Sequence, residues 1–196
     1  MNFIYVILIL ILIFLIIIFW YNIYMKNNFI IKVNQKAIAQ VRTSDDKKVL
    51  GYINFQEDQD GNVHIQGNLN GLPPGVHAIH VHTKGDPRNC CEGLGGHYNP
   101  FDKPHGGRTI KDIFGKEIIN HNRHVGDFSN IEVGSDGTAK FSFVDPIVKL
   151  SGPYSIIGRS IVIHSDPDDL GKGSHSDSLT NGHSGKRISY GIIGWA

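Results

Sequence analysis

The sequence predicts an all-β domain, an eight-stranded β-sandwich or barrel with two long functional loops, preceded by one N-terminal transmembrane helix. Three features lead to this prediction: a long apolar run at the start of the chain, short stretches of alternating apolar and polar residues after it, and turn-forming dipeptides between those stretches. The two long connections, residues 83–124 and 165–187, are rich in His, Gly and Asp. Long loops on a rigid β-scaffold are common places for functional sites.

The composition excludes several classes of protein. The 196 residues include 19 Lys and Arg against 18 Asp and Glu, a formal net charge of +1, which is not the strongly basic surface of a nucleic-acid-binding protein. With 40% hydrophobic residues, the chain is too apolar to be disordered. Residues 1–25 contain no charged side chain, so all charges lie in the roughly 170 residues that follow, which are enough for one domain with a core.

The apolar run at the N-terminus has the length of a membrane-spanning helix. It covers residues 3–20, FIYVILILILIFLIIIFW, and the aromatic residues Trp20, Tyr21 and Tyr24 at its end suit the headgroup level of a bilayer. The alternatives are a cleaved signal peptide and a buried core helix. A signal peptide has a basic start and a cleavage site close behind its apolar stretch, whereas the only A-x-A sequence here, residues 37–39, lies far downstream.

We therefore predict a single-pass, membrane-anchored protein in three parts. Lys26, Lys32 and Lys36 follow the apolar run, and only the α-amino group precedes it. The positive-inside rule then favours the cytoplasmic side for the folded domain. The parts are a membrane anchor (1–25), a linker (26–36) and the folded domain (37–196).

Eight stretches of the folded domain alternate in the way that half-buried strands do. Asp60-Gly61 and Asp136-Gly137 predict hairpin turns of type I′, in which both central residues need positive φ. No window of this part of the sequence shows a helical period. The predicted strands are residues 37–43, 49–55, 63–69, 76–82, 126–133, 138–144, 160–164 and 188–195.

The spacing of the histidines points to a metal site. His80 and His82 are two residues apart on a predicted strand, so both side chains leave the same face of the sheet. Neutral imidazole suits copper and zinc, and three histidines with one aspartate have the right ligand number for tetrahedral zinc. The candidate ligands are His80, His82, His97, His105, His124, Asp127 and His164. The remaining histidines are interpreted as ordinary polar positions: His64, His77, His121, His175 and His183.

Six motifs make residues 37–196 similar to the copper/zinc superoxide dismutase family. They are GVHAIHVH (75–82), GGHYNP (95–100), HGG (105–107), RHVGD (123–127), IIGRSIVIHSDPDDLGKG (156–173) and GIIGWA (191–196). The resemblance implies a Greek-key β-sandwich that binds a copper ion and a zinc ion and dismutates superoxide anion to dioxygen and hydrogen peroxide.

The resemblance also implies a role for each site residue. Copper is expected on His80, His82, His97 and His164, and zinc on His97, His105, His124 and Asp127. His97 would bridge the two ions and take part in proton transfer. Asp168 would hydrogen-bond His80 and His105 and so orient both rings. Arg187 would guide the anionic substrate to copper.

The sequence departs from the family pattern at several positions. Cys91 matches the cysteine of the family's loop disulfide, but Tyr190 stands at the partner position, so that bond cannot form within the chain, and Cys90 is an additional thiol. The loop of residues 108–122 is about ten residues longer than is usual in the family.

The quaternary structure and the function class have alternatives. The resemblance implies a homodimer, but Lys84 stands where the family's dimers carry an apolar interface residue, and Trp195 replaces a smaller aliphatic residue near the C-terminus. The alternative functions are a catalytically silent metal-binding module and a copper-chaperone-like module on the same fold. The silent module would be expected to have broken ligands, and the chaperone-like module to have lost copper ligands or gained a metal-donating cysteine motif, whereas all seven ligand positions are filled.

Overall fold

The structure is a computed structural model of the chain, and it describes residues 3–30, 35–89 and 91–196. Cys90 therefore lies outside the described residues. The chain divides into two compact units, residues 1–34 and residues 35–196.

The described residues of the first unit form one helix, α1 (Phe3–Ile30). Its segment Tyr5–Tyr24 has a mean hydropathy of 3.1 and none of it is buried, so it is long and apolar enough to cross a membrane, although an N-terminal signal sequence has the same properties. The helix continues to Ile30, into the segment 26–36 that the sequence predicts as a linker. Each residue added to an existing helix gains a hydrogen bond, and residues 26–30 contain neither Pro nor Gly to end it.

The second unit is an antiparallel barrel of eight strands. The barrel strands are β1 (Lys36–Thr43), β2 (Val49–Glu57), β3 (Val63–Asn70), β4 (Gly75–His82), β7 (Asp127–Val133), β8 (Thr138–Asp145), β9 (Ser160–His164) and β10 (Arg187–Trp195). Their order in the sheet is β7-β4-β9-β10-β1-β2-β3-β8, and the two end strands are joined by a short turn, so the sheet is nearly closed. The predicted all-β, eight-stranded fold is confirmed.

Alternation along the strands builds the core. Phe55 of β2 pairs with Ile65 of β3, and both are fully buried, while their neighbours Asn54 and Gln66 face outward. Burying such side chains supplies most of the stability of a domain of this size.

The two predicted hairpin turns are in place, but their predicted type is wrong. Gly61 and Gly137 have φ of 79° and 78°, whereas the preceding Asp60 and Asp136 are not among the residues with positive φ. At the first turn, the N–H of Asp58 donates to the carbonyl of Asn62 at 2.8 Å, so the loop is longer than the two residues of a type I′ turn. A longer loop needs only one residue in the left-handed region, and glycine occupies it.

Three short features of the long loops were not predicted. A small hairpin, β5 (Thr109–Lys111) and β6 (Glu117–Ile119), lies within the loop of residues 108–122. A 3₁₀-helix (Glu92–Leu94) precedes it, and a four-residue helix, α2 (Ser178–Asn181), lies before β10. Strands of three residues are too short for alternation to reveal them.

Candidate metal centre

The first group of candidate ligands is built on β4 and β9. His80 and His82 lie on β4, and His164 ends the neighbouring strand β9. His82 Nε2 is 3.2 Å from His164 Nε2, and the His80 and His97 rings are 3.9 Å apart. The four residues His80, His82, His97 and His164 are buried and offer ligand atoms that lie within 4.8 Å of one another.

The second group is built around the carboxylate of Asp127, which is fully buried. The Nδ1 atom of each of three histidines lies close to it: 3.0 Å for His97, 3.0 Å for His105 and 3.2 Å for His124. His97 therefore belongs to both groups, with Nδ1 directed to Asp127. The two predicted ligand sets come together in space, and they share one histidine.

A second buried carboxylate connects the two groups of ligands by hydrogen bonds. Asp168 accepts hydrogen bonds from His80 Nε2 at 2.9 Å and from His105 Nε2 at 2.8 Å. Asn130 holds this aspartate in place, since its Oδ1 accepts from the Asp168 N–H at 2.7 Å and its Nδ2 donates to the Asp168 carbonyl at 3.0 Å. With Nε2 occupied in this way, each of the two rings directs Nδ1 into the centre.

The nitrogen atoms that point into the centre fit a pair of metal ions. His80 Nδ1 and His97 Nε2 are buried without a hydrogen-bond partner, whereas the buried Nδ1 atoms of His105 and His124 contact the Asp127 carboxylate. Burying a polar atom without a partner is costly, so two such atoms in neighbouring rings indicate that something else satisfies them. Imidazole nitrogens with one carboxylate are the ligands that zinc and copper accept.

The electrostatic environment keeps most of these groups in the protonation state that a metal needs. Burial, together with the neighbouring His80, lowers the pKa of His97 to about 3, and burial also holds the pKa of His82 and His164 well below the usual value. Burial raises the pKa of Asp127, but the hydrogen bonds from the three histidines outweigh it and hold that pKa well below its usual range. Neutral imidazole and ionised carboxylate are the forms that bind metal ions.

His105 differs from the other histidines. Burial lowers its pKa, but the hydrogen bonds and charges of Asp127 and Asp168 act in the opposite direction and raise it to about 9. A cation at Nδ1 would replace the proton there, because metal binding displaces protons from its ligands.

Arg187 stands at the entrance to the centre. It begins β10 opposite His164, and its guanidinium donates to the carbonyls of Cys91 and, at 2.7 Å, Gly95. A pocket of about 360 Å³ leads from the surface to this point, lined by His82, His97, His124, His164, Arg187 and residues of the α2 loop. A larger groove lies on the outer face of β2, β3 and β8 and contains none of the candidate ligands.

Two residues that support the centre were not predicted as functional. One is Asn130, described above, and the other is Arg123, which is fully buried and donates to the carbonyls of His124 and Asp127 at 2.9 Å each. Its Nη2 pairs with Asp145. The sequence signal that could have identified Arg123 was its place in the RHVGD motif, directly before the predicted ligand His124.

One glycine allows the last loop to close over the centre. Gly182 has φ of 69°, and a Cβ there would lie 2.0 Å from Asp168 Oδ1 and 2.5 Å from His105 Nε2. Both the conformation and the space exclude a side chain.

A family model described as copper/zinc superoxide dismutase matches residues 49–193. The chain belongs to the copper/zinc superoxide dismutase family. Among solved structures of similar proteins, the crystal structure of the clock protein EA4 is 40% identical with a TM-score of 0.73, and the match covers 84% of this chain and 97% of that chain. The resemblance predicted from the motifs is confirmed, and the dismutase-family domain carries histidine groups that suit copper and zinc.

The histidines interpreted as ordinary polar positions lie outside the ligand groups found among the described residues. His77 is buried, with Nδ1 2.8 Å from the His164 carbonyl and Nε2 2.9 Å from the Pro73 carbonyl. His64 pairs with Asp58, and His183 pairs with Asp177 while stacking on His175.

The loop that the family usually ties by a disulfide is held differently in this dismutase-family domain. Tyr190 packs with Cys91, Leu94 and Val162 in one buried cluster, and its hydroxyl donates to Asp46 at 3.1 Å. The hydrogen bonds of Arg187 to two loop carbonyls add to this packing.

We expect mild reductant to leave the melting temperature and the activity of the folded domain unchanged. The reason is that Tyr190 has no thiol, so the loop is held to β10 by packing and hydrogen bonds. Calorimetry with and without dithiothreitol measures this, with Cys90→Ser as the control. A large fall in melting temperature under reductant would show that a disulfide between chains stabilises the protein.

Proposed function

We propose that this chain is a membrane-anchored superoxide dismutase with one copper and one zinc ion in its barrel domain. The observation that carries the proposal is the pair of buried ligand groups that share His97 and leave His80 Nδ1 and His97 Nε2 without a partner. All seven ligand positions that the family pattern requires are filled.

The copper ligands in this proposal are His80, His82, His97 and His164, and the zinc ligands are His97, His105, His124 and Asp127. Bound copper would supply one-electron chemistry, accepting an electron from one superoxide and returning it to a second, whereas zinc has no redox chemistry. Asp168 acts on both ions' ligands at once, because it orients His80 and His105.

In this proposal, His97 transfers a proton to the substrate. Its Nδ1 is held by Asp127 at 3.0 Å, and its Nε2 has no partner and lies in a ring that lines the pocket. A proton taken up at Nε2 would be delivered to the superoxide that is reduced. With a second proton from a water molecule, which leaves as hydroxide, two superoxide anions give one dioxygen and one hydrogen peroxide.

Arg187 attracts and positions the substrate. Superoxide is a small anion, and a cation fixed at the wall of a pocket raises the local concentration of anions. The two carbonyls that accept from its guanidinium restrict the side chain to that wall.

We expect Arg187→Ala to lower kcat/KM for superoxide by about tenfold and to weaken its dependence on ionic strength, because electrostatic steering raises association rates by 10–10³-fold. Arg187→Lys keeps the charge and serves as the matched variant, with a smaller loss. Pulse radiolysis at several salt concentrations measures both. An unchanged salt dependence of kcat/KM in Arg187→Ala would show that Arg187 does not guide the substrate.

The metal content and activity of residues 27–196 test the proposed function. We expect one copper and one zinc per chain together with superoxide dismutation. Metal binding without activity would instead support a silent metal-binding module, and transfer of copper to an apo acceptor would support a chaperone-like role. The solved relative is named as a clock protein, which is a reason to test the first alternative.

The helix is proposed to anchor the domain, on the cytoplasmic side, to a membrane. We expect the full-length protein to sediment with membranes and to need detergent, since the segment Tyr5–Tyr24 favours hydrocarbon over water. Residues 27–196 are the soluble control. Recovery of a soluble protein that lacks residues 1–25 would identify a cleaved signal sequence instead. The homodimer that the family resemblance implies remains a prediction.

A further inference from the structure

The hairpin of β5 and β6 exposes two large apolar side chains at its tip. Ile113 is 92% exposed and Phe114 is 88% exposed, whereas no other large apolar side chain that is described exceeds 65%. Directly below the tip, Ile110 and Ile118 face each other across the two strands and are also exposed. The four side chains form an apolar end on a short projection, which we call the apolar tip.

The apolar tip has a defined conformation. Asp112 Oδ1 accepts hydrogen bonds from the N–H groups of Phe114 and Lys116, each at 2.9 Å. The N–H of Asp112 donates to the Lys116 carbonyl at 2.9 Å, and Gly115 takes the left-handed conformation with φ of 79°. The turn therefore holds Ile113 and Phe114 outward and keeps them from folding back on the barrel.

The base of the hairpin is attached to the barrel. The N–H of Asn120 donates to the Arg108 carbonyl at 2.9 Å, and the N–H of Arg108 donates to Ser129 Oγ of β7 at 2.7 Å. The hairpin is thus a fixed projection from the domain.

We propose that the apolar tip inserts into the interfacial region of a lipid bilayer. A stable protein interface buries about 800 Å² on each partner, far more than two side chains and the strand pair beneath them present. Shallow insertion of a few apolar side chains is instead a usual way to bind a membrane surface, where Phe is favourable. Lys111 and Lys116 flank the tip in the sequence and would meet headgroup phosphates if the tip inserted, and Glu117 faces Lys111 across the hairpin.

Anchoring through the N-terminal helix would strengthen the weak binding of the apolar tip to the bilayer. Two apolar side chains bind a bilayer weakly on their own, but a domain tethered to the bilayer meets it at an effective concentration in the millimolar range. The first of the two experiments below rests on the anchoring that is proposed above. The tip would then be a second point of attachment that limits how the tethered domain turns.

A single tryptophan at the tip tests the proposal in the full-length protein. The chain has two tryptophans, so Trp20→Phe and Trp195→Phe provide a background without tryptophan fluorescence. Phe114→Trp and, as the matched control, Tyr154→Trp at a half-exposed aromatic position are placed in it and reconstituted into phosphatidylcholine vesicles with brominated acyl chains. We expect a blue shift and quenching at position 114 and neither at position 154.

Substitution of the neighbouring residue separates insertion from mere proximity. Ile113→Asp in the Phe114→Trp protein should abolish quenching, and Ile113→Val should keep it, while dismutase activity stays the same in both. Absence of quenching at position 114 in protein that has incorporated into vesicles would overturn the proposal and leave the anchor intact. Equal quenching at positions 114 and 154 would indicate general adsorption and would also overturn it.

A second experiment does not depend on the native helix. Residues 35–196 form a compact unit of their own, and the clock protein EA4, whose match covers 84% of this chain and 97% of that chain, was crystallised, so residues 35–196 are studied alone. An N-terminal hexahistidine tag attaches them to the same vesicles containing a nickel-chelating lipid, and quenching at position 114 is again expected. If the full-length protein does not incorporate, the anchor fails and this measurement decides the apolar tip. Self-association of the lipid-free domain that Ile113→Asp abolishes, without quenching by lipid, would assign the tip to a second copy of the chain.

Discussion

Replacing His164 by alanine is expected to abolish superoxide dismutation while zinc remains bound. His164 contributes to the group of His80, His82 and His97, but not to the group around Asp127. We expect a loss of activity of at least about 100-fold, because even residues that only support a metal ligand cost 10–100-fold when they are replaced. Elemental analysis and an activity assay on the same preparation measure the two effects.

Two further variants make the His164 result decisive. His124→Ala removes a ligand from the other group and should lose zinc in preference to copper. His64→Ala removes an exposed histidine that pairs only with Asp58 and should change neither metal nor activity. Equal loss of copper and zinc in His164→Ala would show that the assignment of ligands to the two ions is wrong.

Replacing Asp145 by alanine is expected to lower the free energy of unfolding of residues 27–196 by about 3–5 kcal/mol, since this leaves a buried charge without its partner. Arg123 and Asp145 are fully buried as a pair. Asp145 Oδ1 also accepts from the N–H groups of Ile147 and Val148, at 2.8 and 3.1 Å, and these contacts are lost as well. Urea unfolding of the metal-free domain measures the change without a contribution from metal binding.

The chain contains a matched pair for comparison. Asp86 and Arg88 make the same type of contact at the surface, where the Arg88 side chain is 84% exposed. Asp86→Ala should change the free energy of unfolding much less than Asp145→Ala, because solvent screens such a pair. If Asp145→Ala has no larger effect than Asp86→Ala, the buried pair does not contribute to stability as argued.

The sequence by itself determined the strands and the apolar helix. Alternation is a local property, since neighbouring side chains on a strand point to opposite faces, and it predicted all eight barrel strands to within a few residues. The same local rule placed His80 and His82 together. The motifs added the family and, through it, the expectation of which side chains would meet.

Only the tertiary structure decided how these side chains meet. His80 and Asp168 are 88 residues apart in the chain and 2.9 Å apart in space, and Asn130 holds Asp168 although 38 residues separate the two. The hairpin with Ile113 and Phe114 at its tip was not predicted, because the sequence indicated only a longer loop there. Local periodicity depends on neighbours along the chain, whereas barrel closure and the paths of long loops depend on pairing between distant strands, and it is this pairing that brings the ligands to common points.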